Sequence, residues 1–393
     1  MASTCSDIPS AMRRKILSTL VFGTGSLVLS ACGGGGGASS PTAASSSSKT
    51  SPGTNGGSQD TTGTTPGTGT GSQSASATSP DTVTGTRNAS DVSPNGVLTD
   101  TSFGVKGDGT TNDRVALQAA IDGSVGQILL ITGQSRIDST GLTLRSNTHI
   151  RFAQGASIKL LAHNTDSYQM MRLWDVSNVN IESPYLDGSK SLNAATSGEW
   201  GMGISIAGSS NITITSPTTI DCWGDGIYIA NSYSVDGVTS KGITISNHLA
   251  DGCRRQGVSI ISGDTVTFNS PVWQNIGGTA PGAGLDIEPN DNTAVFRAIR
   301  IVSPKTLGCA GPGIQVDLGS LAGPIPKTVD IQITNHIDNS LVDGPFSVGG
   351  MAPSGYIVTG AITNTNPVWQ KSWYLGNGIP SGLTISVVNP RIG

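Results

Sequence analysis

The chain has 393 residues, of which 12% are charged and 5% aromatic; glycine occurs 54 times and the formal net charge is −4. So mild a balance, with no Lys/Arg run, excludes a phosphate-tracking nucleic-acid binder. So few large rings exclude an aromatic core and leave Ile, Val and Leu to be packed between many tight turns.

At the amino terminus, Arg13, Arg14 and Lys15 precede an apolar stretch from Ile16 to Leu29, followed by Ser30-Ala31-Cys32 and a run of glycines. The order basic, apolar, small is that of a secretory signal, and the run is too short for a membrane span of ~20 residues. Residues 1–31 are read as a signal peptide. Leu29-Ser30-Ala31-Cys32 resembles the lipobox of bacterial lipoproteins. That resemblance implies cleavage before Cys32, acylation of Cys32, and anchorage to a lipid bilayer of the cell envelope. Gly33, where an acidic residue would retain such a protein, implies the outer membrane. Residues 32–96 comprise Cys32 and a Ser/Thr/Gly/Pro tether with almost no large apolar side chain, which cannot bury enough surface to offset chain entropy. A flexible tether of about 60 residues spans roughly 40 to 45 Å, enough to hold a domain clear of the lipid.

From residue 97 to 393 the chain is repetitive. One series reads Gly203-Ile204-Ser205-Ile206, Gly226-Ile227-Tyr228-Ile229, Gly257-Val258-Ser259-Ile260, Gly284-Leu285-Asp286-Ile287 and Gly313-Ile314-Gln315-Val316. A second reads Val179-Asn180-Ile181, Ile212-Thr213-Ile214, Ile243-Thr244-Ile245, Val266-Thr267-Phe268, Ile299-Arg300-Ile301 and Val329-Asp330-Ile331, often running into Ser-Pro. A third, short element follows those turns. Spacings of a few tens of residues, with apolar-in and polar-out alternation, specify a solenoid of about three strands per coil, a parallel β-helix. An antiparallel sandwich would instead need hairpin turns every 8 to 12 residues, roughly a third of this period. Before the coils, Arg114 to Ile121 reads as a short helix with an apolar side of Val115, Ala116, Ala119 and Ile121, capped by Thr111 or Asn112 and closing the open end of the core.

The segment Phe103-Gly104-Val105-Lys106-Gly107-Asp108-Gly109-Thr110-Thr111-Asn112-Asp113, followed by that helix, resembles the opening of the pectate lyase superfamily. This group of right-handed parallel β-helices includes polygalacturonases, lyases and phage tailspikes. The resemblance implies an all-β, right-handed solenoid, a polysaccharide partner and, from the tailspikes, a homotrimer. Within it, Trp223-Gly224-Asp225-Gly226 is similar to the Asn-Thr-Asp-Gly strand of polygalacturonases, placing Asp225 on their acid. The rest of that pattern is absent: no Asp-Asp pair stands in the next coil, and no Gly-His-Gly or Arg-Ile-Lys follows.

Aligning the first series on its glycine puts Ser205, Tyr228, Ser259, Asp286 and Gln315 in one outward ladder, with about 4.8 Å between neighbours. Two residues on stand Glu288 and Asp317. Asp286 and Glu288 are then about 6.5 to 7 Å apart along the strand, within the roughly 6.5 to 9.5 Å that admits a water in an inverting glycosidase. In a chain with few charges, the crowding of Asp225, Arg254, Arg255, Asp286, Glu288 and Asp317 marks either a catalytic cleft or a solvated ion-pair network. Trp200 and Trp223, aligned with Arg254, offer either a stacking surface for a sugar ring or mutual packing at a loop edge. With Tyr228 they complete the candidate binding set. Three functions follow: hydrolysis of an acidic polysaccharide, with Glu288 as acid and Asp286 or Asp317 as base; elimination or epimerisation, with Arg255 moving the proton and carboxylates holding Ca²⁺; or glycan binding without catalysis.

Cys222, Cys253 and Cys309 share one stacked position. Cys222 and Cys253, in adjacent coils, are either a disulfide or a buried thiol ladder. No Cys-x-x-Cys or His-x-x-x-His spacing suggests a metal site, and no other cofactor is expected. His149, His163, His248 and His336 read as surface or turn residues.

Overall fold

The structure, a computed structural model, describes residues 96–340, 344–351 and 357–393. The signal segment, Cys32 and the tether up to residue 95 lie outside the described residues. The rest is a right-handed parallel β-helix of three sheets. Each strand pairs in parallel with its counterparts one coil before and one coil after, so backbone donors and acceptors are satisfied between coils rather than within hairpins.

The first sheet has 11 strands, from Val97–Thr99 to Leu383–Val388, and the second has 11, from Asp108–Asn112 to Arg391–Ile392. The third sheet has nine strands. Its central members are Ser167–Trp174, Trp200–Ala207, Asp225–Ala230, Gln256–Ile260, Leu285–Ile287, Ile314–Asp317 and Phe346–Gly349, and it ends on Tyr374–Leu375.

Alternation builds the core. In the first sheet Ile212 and Ile214 are buried while Thr213 and Thr215 are exposed, and Ile243, Ile245, Val266 and Phe268 stack on them coil after coil. The turn from first to second sheet is made by one left-handed residue followed in most coils by proline: Ser183, Ser216, Ser270 and Ser303 have φ of 54°, 51°, 51° and 52°. Proline then ends the strand, and its carbonyl accepts a hydrogen bond from the next coil, as Pro184 does from Thr218 and Pro217 from Leu249.

Three local expectations change. The helix runs from Arg114 to Gly123 and buries Leu117, Ala120 and Ile121, whereas Val115 is 60% exposed. Asp113 occupies its N-cap position, but its carboxylate accepts from the Lys106 and Gly107 amides at 2.8 and 2.9 Å and so pins the preceding turn. In the first sheet, Ile299 pairs with Ile331 rather than Val329, and Phe296 pairs with Val329; a bulge at Ala298, with φ of 51°, shifts the register by one residue between the two pairs. His248 and His336 are buried rather than superficial. Trp273 Nε1 donates to His248 Nδ1 at 3.2 Å, so the neutral ring carries its proton on Nε2, 2.9 Å from Thr219 Oγ1. Trp369, His336 and Thr306 repeat the arrangement at 3.2 and 2.7 Å.

Cys222, Cys253 and Cys309 are free, fully buried thiols. The Cys222 and Cys253 thiols donate to the carbonyls of Ile220 and Thr219 at 3.7 and 3.8 Å. The thiol-ladder alternative therefore describes this structure, and the disulfide alternative does not.

Candidate functional site

The third sheet brings the candidate residues together in the order expected. Ser205 pairs with Tyr228, Tyr228 with Ser259, Ser259 with Asp286 and Asp286 with Gln315, while Asp225 pairs with Gln256. The ladder is not solvated, however. Ser205, Tyr228, Ser259 and Asp286 are at most 1% exposed although they point away from the solenoid core.

A roof of long side chains covers them. Trp174 Nε1 donates to Ser205 Oγ at 2.9 Å, and Tyr233 packs edge-on against Trp174 with ring centroids 5.0 Å apart. Tyr233 belongs to the strap of residues 231–239, which is closed at its base by an antiparallel bridge between Asn231 and Thr239. Asn231 Nδ2 ties that strap to Thr293 Oγ1 at 3.3 Å. Trp200 lies 6.2 Å from the Tyr228 ring and 5.9 Å from the Arg255 guanidinium.

Arg255 is the central cation. It reaches Asp225 at 3.2 Å and Glu199 at 3.4 Å with a side chain only 10% exposed. Burial works against its charge, but Asp225, Asp286 and Glu199 outweigh that and hold its pKa above the ordinary arginine value. Asp225 also accepts from Ser259 Oγ at 2.8 Å, while its Oδ1 has no hydrogen-bond partner among the described residues. Burial raises the Asp225 pKa to about 6 against the lowering effects of Arg255 and Ser259.

Asp286 accepts from Gln256 Nε2 at 2.6 Å and Gln315 Nε2 at 3.3 Å. Burial, and then the neighbouring Glu288 carboxylate, push its pKa well above the carboxylate range. Asp286 is buried and both its carboxylate oxygens are occupied, by Gln256 and Gln315, so it has no face open to a water opposite Glu288, as the anticipated inverting pair requires. Glu288 is half-buried, and its pKa is raised by burial and by Asp317, with Arg255 opposing. Asp317 is half-buried and accepts from the Gly319 amide at 3.1 Å. Glu288 and Asp317 follow paired residues Ile287 and Val316, so they stand on neighbouring coils.

The aromatic and basic members play different parts from those expected. Arg254 donates to the Gly198 carbonyl and lies with its guanidinium 4.4 Å from the Trp223 ring centroid. Trp223 Nε1 donates to the Ser197 carbonyl at 3.2 Å, and the side chain is 9% exposed. One face of Trp223 is thus taken by Arg254, while the Arg255 guanidinium is held between Asp225 and Glu199. Among the described residues no group of three or more His, Cys, Asp or Glu side chains converges as a metal site.

Glu199, Gln256, Gln315 and Tyr233 were not picked out as site residues. Gln315 stands on the ladder and Gln256 beside Asp225; both are neutral, so charge crowding could not flag them. Glu199 precedes Trp200 in an irregular loop, outside any strand register. The scarcity of acids was the one signal available for it.

No family model matches the chain. It is 27% identical over 220 residues to the uncharacterized protein YclG of Bacillus subtilis (strain 168), a match covering 49% of this chain and 38% of that protein. The chain thus spans under two fifths of the length of that curated relative. Among solved structures it is similar to the A-module of the Azotobacter vinelandii mannuronan C-5 epimerase AlgE4, at 15% identity and a TM-score of 0.42, covering 75% of this chain and 95% of that one. It is also similar to PfbA, a surface adhesin of Streptococcus pneumoniae, at 14% identity and a TM-score of 0.43, covering 75% and 83%.

Proposed function

We propose that this chain is a polysaccharide hydrolase of the cell envelope, tethered through lipid on Cys32. The observation that carries the reading is Glu288: a half-buried acid with a raised pKa, backed by Asp286 and facing Asp317. A general acid must hold its proton near neutral pH and still reach substrate, and burial beside like charges supports that state. Glu288 gives its proton to the glycosidic oxygen as the C1–O bond breaks. Asp317 is rooted on the next coil, whose backbone lies about 4.8 Å away. Side chains rooted one coil apart can bring their carboxyl groups to the roughly 5 to 5.5 Å of a retaining pair, so Asp317 attacks C1, and water, deprotonated by Glu288, later releases the sugar. Asp286 positions Glu288 and lies too deep to touch substrate.

The charge balance favours a neutral glycan over an acidic one. Glu288 and Asp317 are partly exposed acids, while Arg255 is paired with Asp225 and Glu199 and Arg254 lies against Trp223. Arg255 is a poor base for elimination, because its carboxylate neighbours hold its proton. Incubation with a panel of neutral and acidic polysaccharides should yield new reducing ends without unsaturated product, and the first-formed sugar should keep its anomeric configuration by proton NMR. Glu288→Gln and Asp317→Asn should each abolish release. Full turnover in either variant sinks the assignment.

A further inference from the structure

The outward column of the third sheet divides sharply into a closed part and an open part. Ser205, Tyr228, Ser259 and Asp286 are sealed beneath Trp174, Tyr233, Trp200 and Arg255. Beyond Asp286 the same column continues through Gln315 and Ser347, both half-buried, to Tyr374, which is 60% exposed. Tyr374 is an outlier, since the other tyrosines of this sheet, Tyr168 and Tyr228, are 2% and 0% exposed. Its ring flanks Gly349 and Gly376, and Gly349 pairs with Asp317. With no side chain at either glycine, the ring is left bare among the described residues, two coils beyond Asp317.

Resting on the hydrolase reading above, we infer that the cleft is blind at the strap of residues 231–239 and takes the end of a polysaccharide chain, with Tyr374 as the platform for a sugar beyond the cleaved bond. A chain passing through would need the surface over Tyr228 and Ser205, which the roof occupies. From the sealed edge at Asp286 the open floor extends through Gln315 and Ser347 to Tyr374, three coil steps or about 14 Å from that edge. An exposed phenol ring on an otherwise polar floor suits the apolar face of a pyranose, and its hydroxyl suits the ring's rim.

The test uses the full-length Glu288→Gln protein, so that binding is read without turnover. Probes are size-fractionated oligosaccharides of a glucan, a galactan, a mannan and a polyuronate, and each polymer with both chain ends capped by a bulky conjugate. Affinity should rise with length and level off once the oligosaccharide spans the ~14 Å floor. Capped polymer should not be retained. Adding Tyr374→Ala should weaken binding of the longer oligosaccharides by about tenfold and leave the shortest unchanged, while Tyr374→Phe should restore most of it. Retention of capped polymer, or binding of the longer oligosaccharides unchanged by Tyr374→Ala, overturns the inference. Hydrolysis by the parent protein could then still stand. If no probe binds, the inference fails, whatever the parent does to reducing ends.

Discussion

Replacing Asp225 by Asn should strengthen the fold in alkaline solution, although Asp225 is a partner of a buried ion pair. Its pKa rises from 3.8 to about 6 on folding, so the unfolded chain ionises it more readily than the native one does. The sign follows: above the unfolded value, ionised Asp225 costs stability, and the cost grows until pH passes the folded value. About two pKa units at 1.36 kcal/mol each give roughly 3 kcal/mol at pH 8, falling to about 0.6 kcal/mol near pH 4. Asparagine keeps the shape and removes the charge. The competing effect is the roughly 3–5 kcal/mol usually lost when a buried ion is left alone. Arg255 is not left alone, because Glu199 holds it at 3.4 Å and Asp286 lies within electrostatic range. Urea melts of both proteins at pH 8, 6 and 4 should therefore show Asp225→Asn more stable by roughly 3 kcal/mol at pH 8, with the gain shrinking towards pH 4. A variant less stable at pH 8, or a difference that does not change with pH, would refute the reasoning and make the cluster a stabilising ion-pair network rather than a site that trades stability for chemistry.

His248 and His336 act in the opposite direction. Burial lowers their pKa values to about 3 and about 4, so each contributes stability that is present above pH 6.5 and is lost as pH falls below it. Between pH 7 and pH 5 each should cost about 2 kcal/mol, and His248→Gln should flatten that slope in urea melts by the same amount. Cys309, buried with its thiol pKa pushed up to about 12, should resist alkylation at pH 8 in the native protein and react at once in urea; rapid native labelling would contradict its burial. Trp273→Ala, which removes a fully buried ring and the hydrogen bond to His248, should destabilise by about 3–5 kcal/mol by the same melts, and a loss under 1 kcal/mol would place that ring outside the core.

Strand alternation and coil spacing fixed the architecture before any coordinates, because a parallel ladder stacks equivalent residues and so converts sequence offset directly into spatial adjacency. For that reason Tyr228, Ser259, Asp286 and Gln315 could be placed in one column from spacing alone, and Asp225 beside Gln256. The method failed where the chain leaves the ladder. At Ala298 one bulge moves the register by one residue, and packing onto a coil end, not periodicity, chooses Leu117 over Val115 for the buried helix face.

Burial was beyond the reach of the sequence altogether. An outward strand position reads as solvent-facing, and only what folds over the sheet makes it interior: Trp174 and the 231–239 strap at Ser205, and the Glu199-Trp200 loop at Arg255. Those loops obey no repeat, so nothing in the period announces where they land. The scarcity of charge, visible in the composition, did determine that a crowd of acids would be meaningful. Which of them carries a proton to the surface was decided by tertiary structure, since desolvation and contact distance set a carboxyl's pKa, and neither is written in the order of residues.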